Sequence, residues 1–411
     1  MASARDPNPA AERPAAQSVW FDARGLQADF KEHAGRGIGT YVAGLAGALP
    51  GEAAPGRVRL FVEAGARLAG SPTPDGLLAA PAWPTGRGRL ASQVRQQLVL
   101  AAWITRRSPA AVHFAAQTDA PPGVRVPSIV TVHDVQLHRP GARPEAPGHA
   151  AAARFAIARA IERRAIGRAA RIIVPSQVTA GELAATLGVP RARIAVVPEA
   201  ASPRFQPGER PGDRELLRRL RVPARYLLHP GGSDERKRLP DLVAAFDRVA
   251  AFDREIALVL SGPVASGPGG ASALRAIASA PSRDRILLLG VLAADEMPAL
   301  FRGAAAVVLA TRHEGFGLPV VEAFASGVPV VSTAAPAIVE VAGDAACLVP
   351  VDSPADLADA ILELLGNPAL AGELRERGRR RAALADEPGA ARATLRVYEE
   401  VARLGPLLRT G

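Results

Sequence analysis

The sequence predicts an α/β protein built as two Rossmann-like, doubly wound domains that face each other across a central cleft. Three observations carry this. Short apolar, strand-like runs alternate along the chain with longer helical patterns, the mark of parallel sheets with helical crossovers. The runs fall into two series of six, divided by the Pro/Gly-rich stretch from Ser202 to Gly212. A chain of 411 residues is comfortable for two domains that each bury a core.

Taken in order, "SVWFDAR", "RVRLFVEA", "AAVHFA", "SIVTVHD", "RIIVPS" and "IAVVPEA" are the strands expected of the first sheet. "YLLHPGG", "IALVLSGP", "RILLLG", "AAVVLAT", "VPVVST" and "ACLVP" are those of the second. The expected organisation is a disordered tail over 1–17, a first domain over 18–205, a second over 206–385, and a C-terminal helical segment over 386–411 that packs back toward the first domain. A ligand belongs in the groove outside the carboxyl ends of the strands.

Composition narrows the function classes. The chain is 48% hydrophobic and 22% charged, an ordinary globular balance, and no apolar run approaches the roughly 20 residues that span a bilayer. The opening "MASARDPNPAAERPAAQ" lacks the apolar core of a secretory signal, which predicts a cytoplasmic location. The single cysteine, Cys347, excludes an internal disulfide and a cysteine cluster for zinc, and reads as a small apolar residue.

The net charge of +10 is unevenly distributed: residues 1–205 hold 25 basic and 14 acidic groups, residues 206–411 hold 25 and 26. Two readings stay open, a front half facing an anionic partner and a solvated basic face in an arginine-rich chain. Among 50 basic residues only Lys31 and Lys237 are lysines. Lys237 follows a strand and a Gly-Gly turn in "HPGGSDERKRL". Helical segments 87–107 and 154–171 are basic, the second with Arg164, Arg168 and Arg171 on one face by helical spacing. Trp103 in the first of these reads as a domain-packing aromatic rather than a membrane anchor. Nucleic acid is a poor partner, since only 4% of residues are aromatic and no recognition motif is present.

The richest stretch is "RHEGFGLPVVEAFASGVPVV", residues 312–331. A strand ends near Thr311, Glu314 falls in the following loop, Pro319 suits the first position of a helix closed by Gly327, and Glu322 lies one turn into that helix. Gly315 and Gly317 permit close backbone approach. Free amides of Gly317, Leu318 and Val320, with the helix dipole, are expected to seat an anion, and the two carboxylates then flank it. One acid for a sugar ring and one for a ribose diol would fit. A glycine-rich turn with two solvated acids is the plain alternative.

This stretch resembles the Glu-x7-Glu signature of family-four retaining glycosyltransferases of the GT-B fold. The resemblance extends over nearly the whole chain. "VWFDAR" and "GRGIGTYV" look like the family's first strand and glycine-rich loop, "IVTVHDV" like the strand carrying its active-site histidine, and "HPGGSDERKRL" like its phosphate-binding turn. "IIVPSQVTAGELAATLGVPRARIAVVPEA" is similar to the bridge into the second domain, and "LLLGVLAADEMPALFRGAAAVVLAT" to the segment that meets the base. Two departures stand out. Family members often have Asn-Gly where this chain has Glu199-Ala200, and many have an arginine where Ser233 follows Gly232.

The resemblance implies an acceptor-binding first domain, a nucleotide-sugar-binding second domain, and transfer of a mannosyl or glucosyl type of hexosyl group with retention, without metal or other cofactor. It implies catalytic roles for Glu314 on the sugar hydroxyls, for His133 across the cleft, and for Arg236 and Lys237 on the leaving pyrophosphate. Donor binding falls to Glu322 at the ribose, to Gly315, Phe316, Gly317 and Leu318 along the sugar, to Val291 at the base through its backbone, and to Gly232 in the phosphate turn. Arg36, Gly37 and Gly39 form a loop for acceptor or phosphate. With no carboxylate nucleophile evident, same-face, oxocarbenium-like substitution is implied. The implied partners are a nucleotide-sugar donor and a glycan, lipid-linked or small-molecule acceptor, anionic by the charge argument, at the inner face of the plasma membrane. His113, His229 and His313 are left unassigned. A nucleotide-sugar epimerase on the same architecture, or a non-catalytic basic binding protein for membrane or sugar, remains as a rival.

Overall fold

The computed structural model describes residues 18–27, 37–68, 77–81, 89–121, 123–139, 141–142, 148–266 and 269–408. The expected tail and Arg36 lie outside the described residues. Two parallel sheets organise the chain. The first contains β1 (Val19–Asp22), β2 (Val58–Glu63), β3 (Leu78–Ala80), β4 (Ala111–Phe114), β5 (Ser128–Thr131), β6 (Arg171–Val174) and β7 (Ile194–Val196) in the order β3-β2-β1-β4-β5-β6-β7. The second contains β8 (Tyr226–Pro230), β9 (Ala257–Ser261), β10 (Ile286–Gly290), β11 (Ala306–Leu309), β12 (Val330–Thr333) and β13 (Cys347–Val349) in the order β10-β9-β8-β11-β12-β13. In each sheet the order reverses beside its first strand. The clefts at the carboxyl ends of β1/β4 and of β8/β11 are therefore the places the topology leaves open for a ligand.

The helices are α1 (Gly37–Glu52), α2 (Arg89–Arg107), α3 (His149–Arg168), α4 (Gln177–Leu187), α5 (Asp213–Arg219), α6 (Leu239–Phe252), α7 (Gly270–Ser279), α8 (Met297–Gly303), α9 (Leu318–Ala325), α10 (Pro336–Ala342), α11 (Pro354–Gly366), α12 (Pro368–Ala382) and α13 (Glu387–Leu408). None of the described helices is long and apolar enough to cross a membrane.

Strand alternation builds a core on each face of each sheet. Trp20 of β1 packs with Phe61, Trp103 and Ile104 on one side, whereas Val19 and Phe21 pack with Leu45, Leu49, Val397 and Val401 on the other. Trp103 packs against Trp20 with its ring tilted, 4.9 Å from centroid to centroid, and is a core aromatic. In the second domain Phe246, Leu258 and Ile361 fill one face, and Tyr226, Phe301, Phe324 and Ile338 the other. Cys347 is half-buried on β13.

Each of the expected strands is present. Leu78–Ala80 is an additional one, an edge strand without β-branched residues that is held by pairing to β2. Two expectations need correction. Arg171 does not share a helical face with Arg164 and Arg168, because α3 ends at Arg168 and Arg171 opens β6, where it pairs with Glu400 of α13 at 3.1 Å. The β-branched run Ile172, Ile173, Val174 favours the strand. Phe205, assigned by sequence to the first domain, buries its ring on Phe301 in the second.

The last helix returns to the first domain. α13 lays Ala391, Val397, Tyr398 and Val401 into the apolar face shared with α1. Its Tyr398 hydroxyl lies 2.7 Å from Nδ1 of His113, a residue fully buried on β4. Replacing Tyr398 by Phe leaves that ring nitrogen without its partner, and the expected loss is about 1–3 kcal/mol. Urea unfolding should show a lower midpoint at unchanged slope.

Candidate active site

The second domain contributes two turns that meet. β8, buried throughout, runs into the Gly231-Gly232 turn, with Gly232 set against Pro263. Asp234 caps the next short turn by accepting from the Arg236 amide at 3.0 Å. The turn from β11 is tied to it by the Arg312 amide, which donates to the Arg236 carbonyl at 2.8 Å. Together they aim Arg236 Nη1 at one oxygen of Glu314, 2.7 Å away, and Lys237 Nζ at the other, 3.6 Å away. Burial alone would raise the Glu314 carboxyl, but Lys237 and then Arg236 outweigh it and hold the group at about 2. Glu314 is therefore an ionised hydrogen-bond acceptor. Arg236 stays protonated against burial because of Glu314.

Glu322 lies in the second turn of α9 and has the opposite character. It is nearly buried, and among the described residues its carboxylate has no hydrogen-bond or ion-pair partner. Burial, then the charge of Glu199, push it up to about 8 against a weaker pull from Lys237.

Between the two acids the backbone is open. Gly317 caps α9 at φ 109°, a conformation costly to any residue with a Cβ, and such an atom would also strike Ile338. The amides of Gly315, Phe316, Gly317 and Leu318 have no partner among the described residues. The Val320 amide, expected free, donates to the Gly317 carbonyl at 2.8 Å because the first turn of α9 is tight, so it is not part of the seat. Phe316 and Leu318 are buried beside this seat, and Val291, 58% exposed, follows the end of the edge strand β10.

The first domain presses directly on this loop. The Gly315 carbonyl accepts from Ser176 Oγ at 2.7 Å and Thr179 Oγ1 at 2.8 Å. A Cβ at Gly315 would overlap the His133 carbonyl oxygen. His313 bridges the domains, its Nδ1 accepting from Gln136 at 2.6 Å and its Nε2 donating to Glu182 at 2.9 Å. Glu340 of α10 accepts from the Gln177 and Val178 amides at the N-terminus of α4, at 2.8 and 2.9 Å.

His133 follows β5 at this wall. Nδ1 is 2.9 Å from Glu199 Oε1 and Nε2 is 2.8 Å from the Ala115 carbonyl, so both ring nitrogens are engaged by protein. Tyr41, from the first turns of α1, meets the ring edge-on at 4.9 Å and holds Thr131 with its hydroxyl at 2.9 Å. Thr131 in turn is 2.8 Å from His113 Nε2. His113 is pushed down to about 3 by burial and then by His133. Gly37 and Gly39 open α1 at this end, the first exposed and the second buried. His229, at the end of β8 before the Gly231-Gly232 turn, bonds the Val308 carbonyl at 2.9 Å and is lowered to about 4 by burial and then by Lys237.

The structure thus brings Glu314, Arg236 and Lys237, beside the Gly232 turn, next to the amides of 315–318 and the helix start that carries Glu322, with His133 against Gly315. Sequence reasoning missed Tyr41, Ser176, Thr179, Gln136 and Glu182. Glu199 was visible only as a departure from the usual Asn-Gly.

Residues 35–204 match the family described as Glycosyltransferase Family 4, and residues 224–367 that described as Glycosyl transferases group 1. The chain is 30% identical over 289 residues to a 2-deoxystreptamine glucosyltransferase of Streptomyces kanamyceticus, covering 68% of this chain and 72% of that protein. The chain belongs to the family-four, group 1 glycosyltransferases. It is also 31% identical over 260 residues to a D-inositol 3-phosphate glycosyltransferase of Salinispora arenicola, covering 60% of this chain and 58% of that one. Among solved structures, sucrose-phosphate synthase of Thermosynechococcus elongatus superposes with a TM-score of 0.73 at 19% identity, covering 94% of this chain and 99% of that one. HepE of Anabaena in complex with UDP-glucose gives 0.64 at 16%, covering 94% and 98%. Both share the fold, which is GT-B.

Two outcomes follow for this glycosyltransferase. Gly315→Ala should drive the loop off the first domain and lower turnover by on the order of 10²-fold. Gly372→Ala on α12, where a Cβ meets nothing within 4 Å, is the control and should leave the rate unchanged. Glu322 supplies a pH test. Its carboxyl is raised from 4.5 to about 8 on folding, so the folded protein holds a proton that the unfolded chain releases, and stability falls as pH rises between those values. Glu322→Gln lacks that loss. Urea midpoints should show the variant gaining on the wild type by more than about 1 kcal/mol between pH 5 and pH 8.5.

Proposed function

We propose that the protein is a retaining hexosyltransferase that moves a mannosyl or glucosyl type of group from a nucleotide diphosphate sugar to an acceptor hydroxyl without a metal. The observation that carries this is the run of four amides at 315–318, flanked by ionised Glu314 and by buried Glu322, the amides and Glu322 being without a partner among the described residues. That set fits a ligand with an anionic centre, a sugar on one side and a diol on the other.

In this reading Glu322 takes the ribose diol, and the backbone at Val291 takes the base. Glu314 and the amides of Gly315, Phe316 and Gly317 orient the sugar hydroxyls. As the anomeric carbon becomes cationic, charge gathers on the departing pyrophosphate. Lys237, Arg236, the Gly232 turn and the N-terminus of α9 stabilise it there. The two cations already share Glu314, which leaves the trio a net positive charge for the phosphates. The acceptor hydroxyl attacks from the face the pyrophosphate leaves, and a phosphate oxygen takes its proton. A donor complex with UDP-glucose in a protein of the same fold supports a nucleotide-sugar donor.

The acceptor is proposed to be anionic. α3 exposes Arg154, Arg159, Arg163, Arg164 and Arg168, while its one acid, Glu162, is buried beside His138. A relative acting on an inositol phosphate agrees with that charge, and one acting on the diamine 2-deoxystreptamine does not. An anionic lipid-linked glycan at the cytoplasmic membrane face fits the same surface.

Release of nucleotide from UDP-glucose, GDP-mannose and ADP-glucose in the presence of candidate acceptors tests the proposal. Lys237→Ala should lower kcat, raising the barrier by roughly 3 kcal/mol. A chelator should leave the rate unchanged, and salt should weaken acceptor use more than donor use. A changed sugar without any acceptor would make it an epimerase, and donor binding without turnover a binding protein.

A further inference from the structure

The carboxylate of Glu199 sits where the chain leaves β7 to cross into the second domain, 8% exposed and 2.9 Å from His133 Nδ1. The other nitrogen of that ring faces the Ala115 carbonyl at 2.8 Å. A carbonyl oxygen can only accept, so Nε2 must carry a hydrogen. A neutral imidazole has only one, and its Nδ1 would then turn a lone pair toward a carboxylate. The arrangement is satisfied when a second proton lies between Nδ1 and Glu199, giving an imidazolium that donates from both nitrogens. Turning the ring over would break both bonds. Tyr41 closes the ring edge-on, so His133 is fixed in its plane by two acceptors and across its plane by an aromatic ring.

The place of this pair gives it a use. The His133 carbonyl is the surface against which Gly315 rests, and Gly315 begins the run of free amides. On its other side Glu199 is close enough to Glu322 for its charge to act on that carboxyl. One carboxylate therefore touches the histidine of the cleft wall and faces the acid assigned to the ribose.

We propose that Glu199 is a positioning residue for glycosyl transfer, which holds His133 as a doubly donating imidazolium and so sets the wall on which the donor loop closes. The proposal rests on the reading of His133 as part of a glycosyltransferase site. The charged and titratable groups that bear on the pair are Asp134 beside it, His113 behind it on β4, Glu322 on α9, and Tyr41 on α1. Burial opposes the imidazolium, but the bond and charge of Glu199, then Ala115 and Asp134, outweigh it and raise His133 above its ordinary value. His113 stays neutral.

Glu199→Gln keeps the size and an acceptor oxygen but removes the charge. A titration of the His133 ring protons by NMR should find the wild-type ring above the ordinary histidine value and the variant lower by at least about one unit. Each unit corresponds to a tenfold change in the protonated fraction at a pH above both values. An imidazolium is lost as pH rises through its pKa, so the alkaline fall of kcat should move to lower pH in Glu199→Gln. At pH 6 the variant should stay within about threefold of the wild type, and at pH 8.5 it should fall about tenfold, with the donor KM nearly constant. Glu199→Asp, which restores the charge, should recover the alkaline limb in part. A merely structural carboxylate would lower activity equally at every pH and would not be rescued by Asp.

The measurements separate two failures. Nucleotide release from UDP-glucose, GDP-mannose or ADP-glucose is followed in Glu199→Gln and in His133→Ala. If His133→Ala transfers at the wild-type rate, His133 is outside the machinery and the functional reading of the site fails together with the proposal. If His133→Ala is inactive while Glu199→Gln keeps the wild-type pH profile, the proposal alone is overturned. The NMR titration needs no substrate. A wild-type His133 ring that titrates at or below its ordinary value overturns the proposal whatever the activity.

Discussion

The cleft depends on one steric constraint, the contact of the Gly315 backbone with the His133 carbonyl. Only a residue without a Cβ can approach so closely, and that approach lets Ser176 and Thr179 of the first domain take the Gly315 carbonyl. A trans peptide points its carbonyl and its N–H in opposite directions. With the oxygen committed to the first domain, the following amide of Phe316 is turned away from it. The free amides of the seat are thus a consequence of how the domains meet, as well as of the helix that follows.

The same loop explains why two acids eight positions apart differ so much. Glu314 is buried among cations, and Glu322 is buried beside another acid. Burial raises both carboxyls, and the sign of the neighbouring charge decides the outcome, about 2 for one and about 8 for the other. Environments that drive like groups apart in this way are typical of sites where one carboxyl must stay ionised. Glu314 meets that need through Arg236 and Lys237, both delivered by a turn only a few residues long.

Local pattern made most of the fold legible. Short apolar runs alternating with helical patterns marked twelve of the thirteen described strands, and the central ones, β1, β4, β8, β9, β11 and β12, are largely apolar because both their faces are buried. The strand at Leu78–Ala80 escaped, since an edge strand of Leu-Ala-Ala owes its form to pairing with β2 rather than to its own side chains. The extrapolation of α3 to Arg171 failed for a related reason: helical spacing can be continued on paper past the residue where the backbone turns extended. In the site, Glu314, Arg236 and Lys237 were legible because each lies in a short turn beside glycines, and Glu322 because it follows a Gly-Leu-Pro helix start by about one turn. Glu199 and Tyr41 reach His133, and Glu182 reaches His313, from positions remote in the chain, and no local pattern encodes which remote side chain a fold will bring to a histidine.

That remote layer is continuous. From Tyr398 on the returning helix α13, a buried line of contacts runs through His113 and Thr131 to Tyr41, whose ring lies against His133. Each hydroxyl and ring nitrogen in it has a partner, and the low value of His113 keeps a net charge off the line. A fully satisfied buried polar network fixes the side chains it joins in one arrangement. The C-terminal helix therefore takes part in placing the cleft wall. α13 sits on the first domain while the chain before it belongs to the second, so its docking and the crossing at Glu199 bracket the histidine from both passages between domains. The position of His133 is in this way tied to the connections of the two domains and not to β5 alone.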